Sequence, residues 1–467
     1  MDTATLDQTA AAAAAAAPTT PTAPTAASAA PAADAGFNAH LAGQQLMKDW
    51  YAGLEQAQAR GQKVANVFVM GNAVEILRSF DFQLVFPEIN SLQTGVRKVS
   101  QEYLRESEDY GYSPDVCSYV KADVGLILRE QQHPAGTIPK ADIAITSNMC
   151  STFIKWGEIW ERMLKMPTFT LDLPGQRGGN WQVRRGDAQH MADAQWVEAQ
   201  FRDLIGRCEK ITGRRFDYDR LAEVEDRVNR MVAHWNAVMA LNRVCPAPYN
   251  AMLDGLTYIG IMNVYRGTEQ GVDYMRRLEE SLRAKVARGE GRVPNERFRL
   301  LFSGTPCYVS MRRLVELFES WGGVFAYSDY LTFAAGGMDA GEMVYDTSRP
   351  LESLAEITAL AAQRGLSNQF FAHERLAQQI RDFDVDGIVF HGIKSCRFVS
   401  SGMADTRNYL NKRLNMPSLY IESDLIDPRY WSDAQIKNRV DAFFESLQQR
   451  GGAAPGAHGH PAAAKEA

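Results

Sequence analysis

Short apolar runs alternate along this chain with longer stretches in which apolar residues recur every third or fourth position. Val64 to Met70 is rich in β-formers and closes on Gly71-Asn72. It predicts a strand, and Ala73 to Phe80 after it a helix. Phe82 to Phe86 predicts a second strand. Ile89, Leu92, Val96, Val99 and Tyr103 fall on one helical face, which predicts one amphipathic helix over 89–108. Ala141 to Thr146 reads as a third strand, followed by a helix from Ser151 to Leu164 and a fourth strand over Thr168 to Leu173.

Residues 190–290 carry helical patterning throughout, with Leu221 to Leu241 and Val272 to Ala287 as two of the helices. The strand–helix alternation then restarts. Leu300 to Gly304, Val324 to Tyr327, Val385 to His391 and Ser418 to Ile421 predict strands. Thr305-Pro306-Cys307 predicts a helix start. Further helices are predicted near 351–364, 371–382, 403–414 and 433–448. Short apolar strands alternating with helices imply parallel sheets. The expected fold is therefore α/β: two doubly wound parallel-sheet units facing a cleft, with an added helical layer. The expected domains are 39–290, including the helical elaboration, and 291–450.

Composition changes this picture only at the ends. Residues 1–38 are mostly Ala, Pro and Thr, with eight consecutive Ala at 10–17 and no Lys or Arg before Lys48. A secretory signal needs a basic start and a greasier middle, so a disordered arm is expected there, and a similar tail over 451–467. The 467 residues are 45% hydrophobic and 23% charged, with net charge −6. No basic stripe points to nucleic acid and no apolar run is long enough for a membrane span. Six cysteines, none in a CxxC pair, fit a reducing cytoplasm better than a disulfide framework.

The chemistry begins at Ser113-Pro114-Asp115-Val116-Cys117. Ser113 and Pro114 suit a helix N-cap and first position, which places Cys117 in or near an opening turn. Backbone N–H groups and the helix dipole stabilise a thiolate there. Cys150 and Cys396 each follow a predicted parallel strand at its carboxyl end, the edge where open α/β sheets bind ligands. If the two units face each other, the three sulfurs meet in the cleft, and three soft thiolates suit an iron–sulfur cluster. Small buried apolar residues remain the alternative. Cys307, behind its own Thr-Pro, is a competitor for the set. Cys208 and Cys245 lie in helical stretches and read as core.

Three stretches resemble the large subunits of the 2-hydroxyacyl-CoA dehydratase and benzoyl-CoA reductase family. They are Asp115 to Gly125, Cys150 to Trp156, and Leu419 to Asp424 with Ile436 to Phe443. The resemblance covers roughly 45–450. Within the family, the wording around Cys117 and Cys150 is most similar to the larger cluster-bearing subunits of ATP-dependent reductases. The resemblance implies that Cys117, Cys150 and Cys396 hold a 4Fe–4S cluster, and it leaves Cys307 as structural. It implies an anaerobic aromatic acyl-CoA reductase, a heterotetramer in which a smaller cluster-bearing subunit and two ATPase subunits join this chain. Ferredoxin supplies the electrons and a cyclic diene thioester is the product. The chain has no GxxxxGK(S/T) loop, so ATP hydrolysis belongs to those partners.

Two other readings stay open. The same architecture serves a radical lyase that dehydrates 2-hydroxyacyl-CoA, and a non-catalytic scaffold subunit is the third possibility. Glu75 matches a family carboxylate placed near the substrate, which makes it a catalytic candidate; a solvated helix charge is the alternative. His391 and Lys394 lie close in sequence to Cys396 as candidate donors, with a structural histidine as the plainer reading. Glu422 and Asp424 are expected to order loops, and Trp156 and Trp160, spaced i, i+4, to pack a core.

Overall fold

A computed structural model describes residues 37–69, 73–175, 183–334, 344–364 and 369–450. The expected arm lies outside the described residues as far as Gly36, as do Met70, Gly71, Asn72 and the tail over 451–467. Asn38 caps the first helix, α1 (Ala39–Ala57), its side-chain oxygen accepting from Leu41 N–H at 3.0 Å. After α1 come β1 (Val64–Asn66), α2 (Val74–Ser79), β2 (Gln83–Val85), α3 (Pro87–Val96), α4 (Ser100–Asp109) and α5 (Ser118–Leu128). A two-stranded ribbon, β3 (Gln132–His133) and β4 (Gly136–Thr137), precedes β5 (Ile143–Ser147), α6 (Phe153–Leu164) and β6 (Thr168–Leu171). The helical layer is α7 (Ala188–Thr212), α8 (Tyr218–Leu241), α9 (Leu253–Val264) and α10 (Glu269–Ala287).

The second strand set begins with β7 (Phe298–Ser303), α11 (Met311–Glu319), β8 (Gly323–Ser328) and α12 (Asp329–Ala334). It continues with α13 (Pro350–Arg364), α14 (Gln369–Asp382), β9 (Gly387–Ile393), α15 (Arg397–Ser400), α16 (Met403–Leu414), β10 (Ser418–Ser423) and α17 (Asp433–Gln449). The first sheet runs β2-β1-β5-β6 and the second β8-β7-β9-β10, and every neighbour in both is parallel. Numbered within each sheet, both orders are 2-1-3-4. The chain therefore builds one topology twice without a repeated sequence. In each sheet the order reverses between the first and third strands, and ligands collect at the carboxyl ends there. A continuous apolar core extends from Trp50 through both sheets to Leu447.

Four local expectations are corrected. The single helix expected over 89–108 is two, α3 and α4. Lys98 adopts φ of 60°, Val99 N–H bonds to Thr94 O, and Lys98 N–H bonds to Gly95 O. That is a left-handed C-terminal cap, built without the glycine that would have announced it. Ser113 is not the N-cap of α5; Cys117 is, and so it stands at the opening turn as expected. Ser113 instead closes a turn, its carbonyl accepting from Val116 N–H at 3.0 Å. Thr305-Pro306-Cys307 opens no helix; α11 begins at Met311. Cys245 lies past the end of α8 and is exposed, so it is not core. Cys208 is buried in α7 as expected.

Helix α5 is held from two sides. It meets α4 at Gly125, where a Cβ would lie 2.3 Å from Tyr103 O. Gly125→Ala is expected to destabilise the protein by about 1–3 kcal/mol through overpacking. This is despite the better helix propensity of alanine. Thermal unfolding checks it, and an unchanged or raised midpoint counts against close helix contact here. On its other side Asp123 receives the indole N–H of Trp156 and of Trp160, each at 2.7 Å on the same oxygen. Burial pushes this carboxyl up to about 6, and the two indole donors oppose the rise. The tryptophans are core, as their spacing predicts, and they also bind α6 to α5.

Candidate functional site at the carboxyl edges of the two sheets

Cys117, Cys150 and Cys396 stand at three helix starts. Cys117 caps α5, Cys396 caps α15, and Cys150 lies two residues before the Thr152 cap of α6. Cys150 follows β5 and Cys396 follows β9, the third strand of their respective sheets. These two positions are equivalent in the repeated topology. Burial raises the Cys117 thiol above its ordinary value, and the charges of Cys396 and Cys150 raise it further. Burial pushes Cys396 up to about 11, and Cys150 adds to that. The three sulfurs thus lie within electrostatic reach of one another.

Backbone donors oppose these shifts. N–H groups of Val120 and Tyr119 bond to the Cys117 sulfur, those of Val399 and Phe398 to Cys396, and those of Thr152 and Phe153 to Cys150. The Cys150 sulfur also meets the Thr152 hydroxyl at 3.3 Å. Such helix-start donors favour thiolates over thiols. Partly buried thiols that disfavour one another's charge, yet sit among N–H donors, suit a positively charged group that replaces their protons. The donor set therefore fits an iron–sulfur cluster. Among the described residues no three His, Cys, Asp or Glu side chains close on a single metal-ion position.

Cys307 is fully buried, and burial pushes its thiol up to about 12. His391 is fully buried between strand ends, its Nδ1 meeting Thr305 O at 2.6 Å and its Nε2 the Ser423 hydroxyl at 2.7 Å. Burial lowers its pKa, so it is a neutral structural link. Lys394 pairs with Glu422 at 2.7 Å. Asp424 orders a loop, accepting from Ile426 and Asp427 N–H.

Glu75 is not a solvated charge: it is completely buried in α2. Its Oε1 accepts from Arg266 Nε at 2.6 Å and from the Tyr345 hydroxyl at 3.0 Å. Its Oε2 has no hydrogen-bond partner among the described residues. Glu225 on α8 is buried nearby, with neither oxygen partnered among the described residues. Burial and then the charge of Glu75 push its carboxyl up to about 10. The described bonds of Glu75 run to the helical layer and to Tyr345, not to the three thiols.

Sequence reasoning missed Glu88. It opens α3 directly after β2, and Val69 N–H donates to its Oε2. Burial pushes the carboxyl up to about 7, against the pull of that N–H. Its charge reaches Cys150, Tyr119 and Tyr330. The signal was present in Phe86-Pro87-Glu88: a proline at the helix start, then a first-turn carboxylate, at the strand edge that singles out the cysteines. Tyr308 and Tyr330 join this edge from the second sheet, their hydroxyls 3.0 Å apart, and Tyr119 stacks on Tyr308.

Comparison with known proteins agrees with the family resemblance carried by the sequence. The model of the 2-hydroxyglutaryl-CoA dehydratase D-component family matches residues 71–447. One of the subunits of benzoyl-CoA reductase from Thauera aromatica is 33% identical over 425 residues, covering 87% of this chain and 94% of that protein. The alpha subunit of lactoyl-CoA dehydratase of Anaerotignum propionicum is 26% identical, covering 84% and 92%. The alpha subunit of (R)-2-hydroxyglutaryl-CoA dehydratase of Acidaminococcus fermentans is 25% identical, covering 67% and 61%. No helix among the described residues is long and apolar enough to cross a membrane. With its doubled parallel-sheet fold and its match over most of its length, this chain belongs to the family of benzoyl-CoA reductase and 2-hydroxyacyl-CoA dehydratase subunits.

Proposed function

We propose that the chain is an iron–sulfur subunit of an ATP-dependent aromatic acyl-CoA reductase that converts benzoyl-CoA to a cyclohexadiene carbonyl-CoA. The observation that carries this is the placement of Cys117, Cys150 and Cys396 at three helix starts, with the residues beside Cys117 and Cys396 in direct contact. The similarity to a subunit of a protein named benzoyl-CoA reductase directs it to that substrate. A 4Fe–4S cluster held by the three cysteines would supply single electrons of low potential. The chain's own residues supply the rest: they bury the ligands, hold the thioester and keep water out.

Ring reduction consumes protons as well as electrons. A carboxyl such as Glu88, pushed up to about 7 at the same sheet edges, supports such a reaction. Glu75 is the proposed substrate-facing carboxylate, with Oε1 fixed and Oε2 available. The proposed partners are a homologous smaller cluster-bearing subunit, two ATPase subunits and a ferredoxin.

The competing reading is a 2-hydroxyacyl-CoA dehydratase subunit, favoured by the names of several relatives. Anaerobic turnover of the assembled protein with ATP and reduced ferredoxin separates the two. Benzoyl-CoA should yield the cyclic diene thioester, while a 2-hydroxyacyl-CoA should be left unchanged. Loss of water from the hydroxyacyl thioester without ring reduction would transfer the protein to the dehydratases.

A further inference from the structure

Two of the three proposed ligands are neighbours of serines that touch each other. Ser118 follows Cys117 and Ser395 precedes Cys396, 277 residues further along the chain. Ser118 N–H donates to the Ser395 hydroxyl oxygen at 3.1 Å, and the two hydroxyl oxygens are 3.3 Å apart. Ser395 in turn donates its hydroxyl to Asp424 Oδ2 at 2.5 Å and its backbone N–H to the same oxygen at 3.0 Å. The other carboxylate oxygen accepts from Ile426 and Asp427 N–H, each at 3.3 Å. Ser118 and Asp424 are 0% exposed and Ser395 6%.

We propose that Ser118, Ser395 and Asp424 form a buried latch between the two sheet units that sets the spacing of Cys117 and Cys396, and that the Asp424 carboxylate keeps the group held there a strong reductant. The inference rests on the reading that these cysteines bind an iron–sulfur cluster. Asp424 is a positioning residue. It acts on Cys396 through Ser395 and on Cys117 through Ser395 and Ser118.

The physical argument has two parts. The first is geometric. Cys117 caps a helix of the first unit and Cys396 a helix of the second, so no local bond sets their separation. The Ser118–Ser395 contact is the direct tie beside both sulfurs. Charge-assisted bonds from Ser395 to a carboxylate are among the stronger hydrogen bonds, and here they are sealed from water.

The second part is electrostatic. Asp424 has four dipolar donors and, among the described ion pairs, no cationic partner, so its negative charge is stabilised but not cancelled. That charge sits on the N–H and hydroxyl of Ser395, the residue beside Cys396. A fixed negative charge in a dry site opposes adding an electron next to it. It therefore holds the reduction potential down, which is what an electron donor to an aromatic ring requires.

The test uses the assembled, anaerobically purified protein and two variants, Asp424→Asn and Ser395→Ala. Asp424→Asn retains shape but removes the charge. Its cluster should be reduced at a higher midpoint potential in a redox titration followed by electron paramagnetic resonance. Ser395→Ala keeps the charge and cuts the tie. It should lose iron to a chelator about tenfold faster, if the tie supports the ligands as outer-shell partners of a metal site do. Ser395→Thr, which restores the hydroxyl, should recover most of that retention.

A wild-type midpoint in Asp424→Asn together with wild-type iron retention in Ser395→Ala would overturn the inference. Should Asp424→Asn fail to fold, the chelator rate of Ser395→Ala decides. Wild-type protein without iron would instead remove the cluster reading on which the inference stands.

Discussion

Replacing Cys117, Cys150 or Cys396 singly by Ser is expected to reduce cluster content and ring-reducing turnover to background. Each sulfur comes from a different helix start, so none has a spare ligand beside it. A serine hydroxyl is a hard, weakly acidic donor and a poor substitute for thiolate toward iron. Cys307→Ser is the control. Its thiol is completely buried. Its replacement by a polar hydroxyl is expected to lower stability modestly while iron and sulfide content hold. Iron and acid-labile sulfide analysis under anaerobic conditions checks all four variants. Normal cluster content in the three single variants, or an equal loss in Cys307→Ser, would sink the assignment.

Arg266→Met is expected to destabilise the protein by about 3–5 kcal/mol, because it leaves a buried carboxylate without its partner. Arg266 and Glu75 are 5% and 0% exposed, and their contact is 2.6 Å. Tyr345 then remains as the sole donor to Oε1 among the described residues. Arg78, one turn along α2, donates to the carbonyl of Val264. Combining Arg266→Met with Glu75→Gln should restore much of the loss, since the carboxylate that lost its guanidinium partner is then neutral. Thermal and denaturant unfolding of both variants measures this. A shift below about 0.5 kcal/mol for Arg266→Met would show that water reaches the pair. The coupling also bears on the proposed role of Glu75. Glu75→Gln should slow turnover while iron content is unchanged, and a full-rate variant would reduce Glu75 to a structural ion partner.

Much of the architecture is legible along the chain because it is local. Apolar runs and helical periodicity mark all eight main strands to within a few residues, and the restart near Phe298 announces the second sheet. Cys150 and Cys396 stand out for the same reason: a strand end followed by a helix start is a local pattern. Local signals fail where a cap lacks its usual residue. Lys98 takes the left-handed position that glycine normally marks, so the break between α3 and α4 is invisible to periodicity. A proline after Ser113 and another after Thr305 resemble helix starts, yet both precede turns or loops.

What only the tertiary structure decided are the pairings across long sequence separations. Glu75 meets Arg266 across 191 residues and Tyr345 across 270, which turns a helix charge of undecided exposure into a buried ion pair. Ser118 meets Ser395, so two cysteines from different units become neighbours. The identical 2-1-3-4 strand order, which makes Cys150 and Cys396 equivalent, is likewise a matter of which strands pair. Periodicity reports which face of an element is apolar; it carries no information on which distant element covers that face or which buried charge finds which partner. Those choices are made by packing and desolvation in the folded chain.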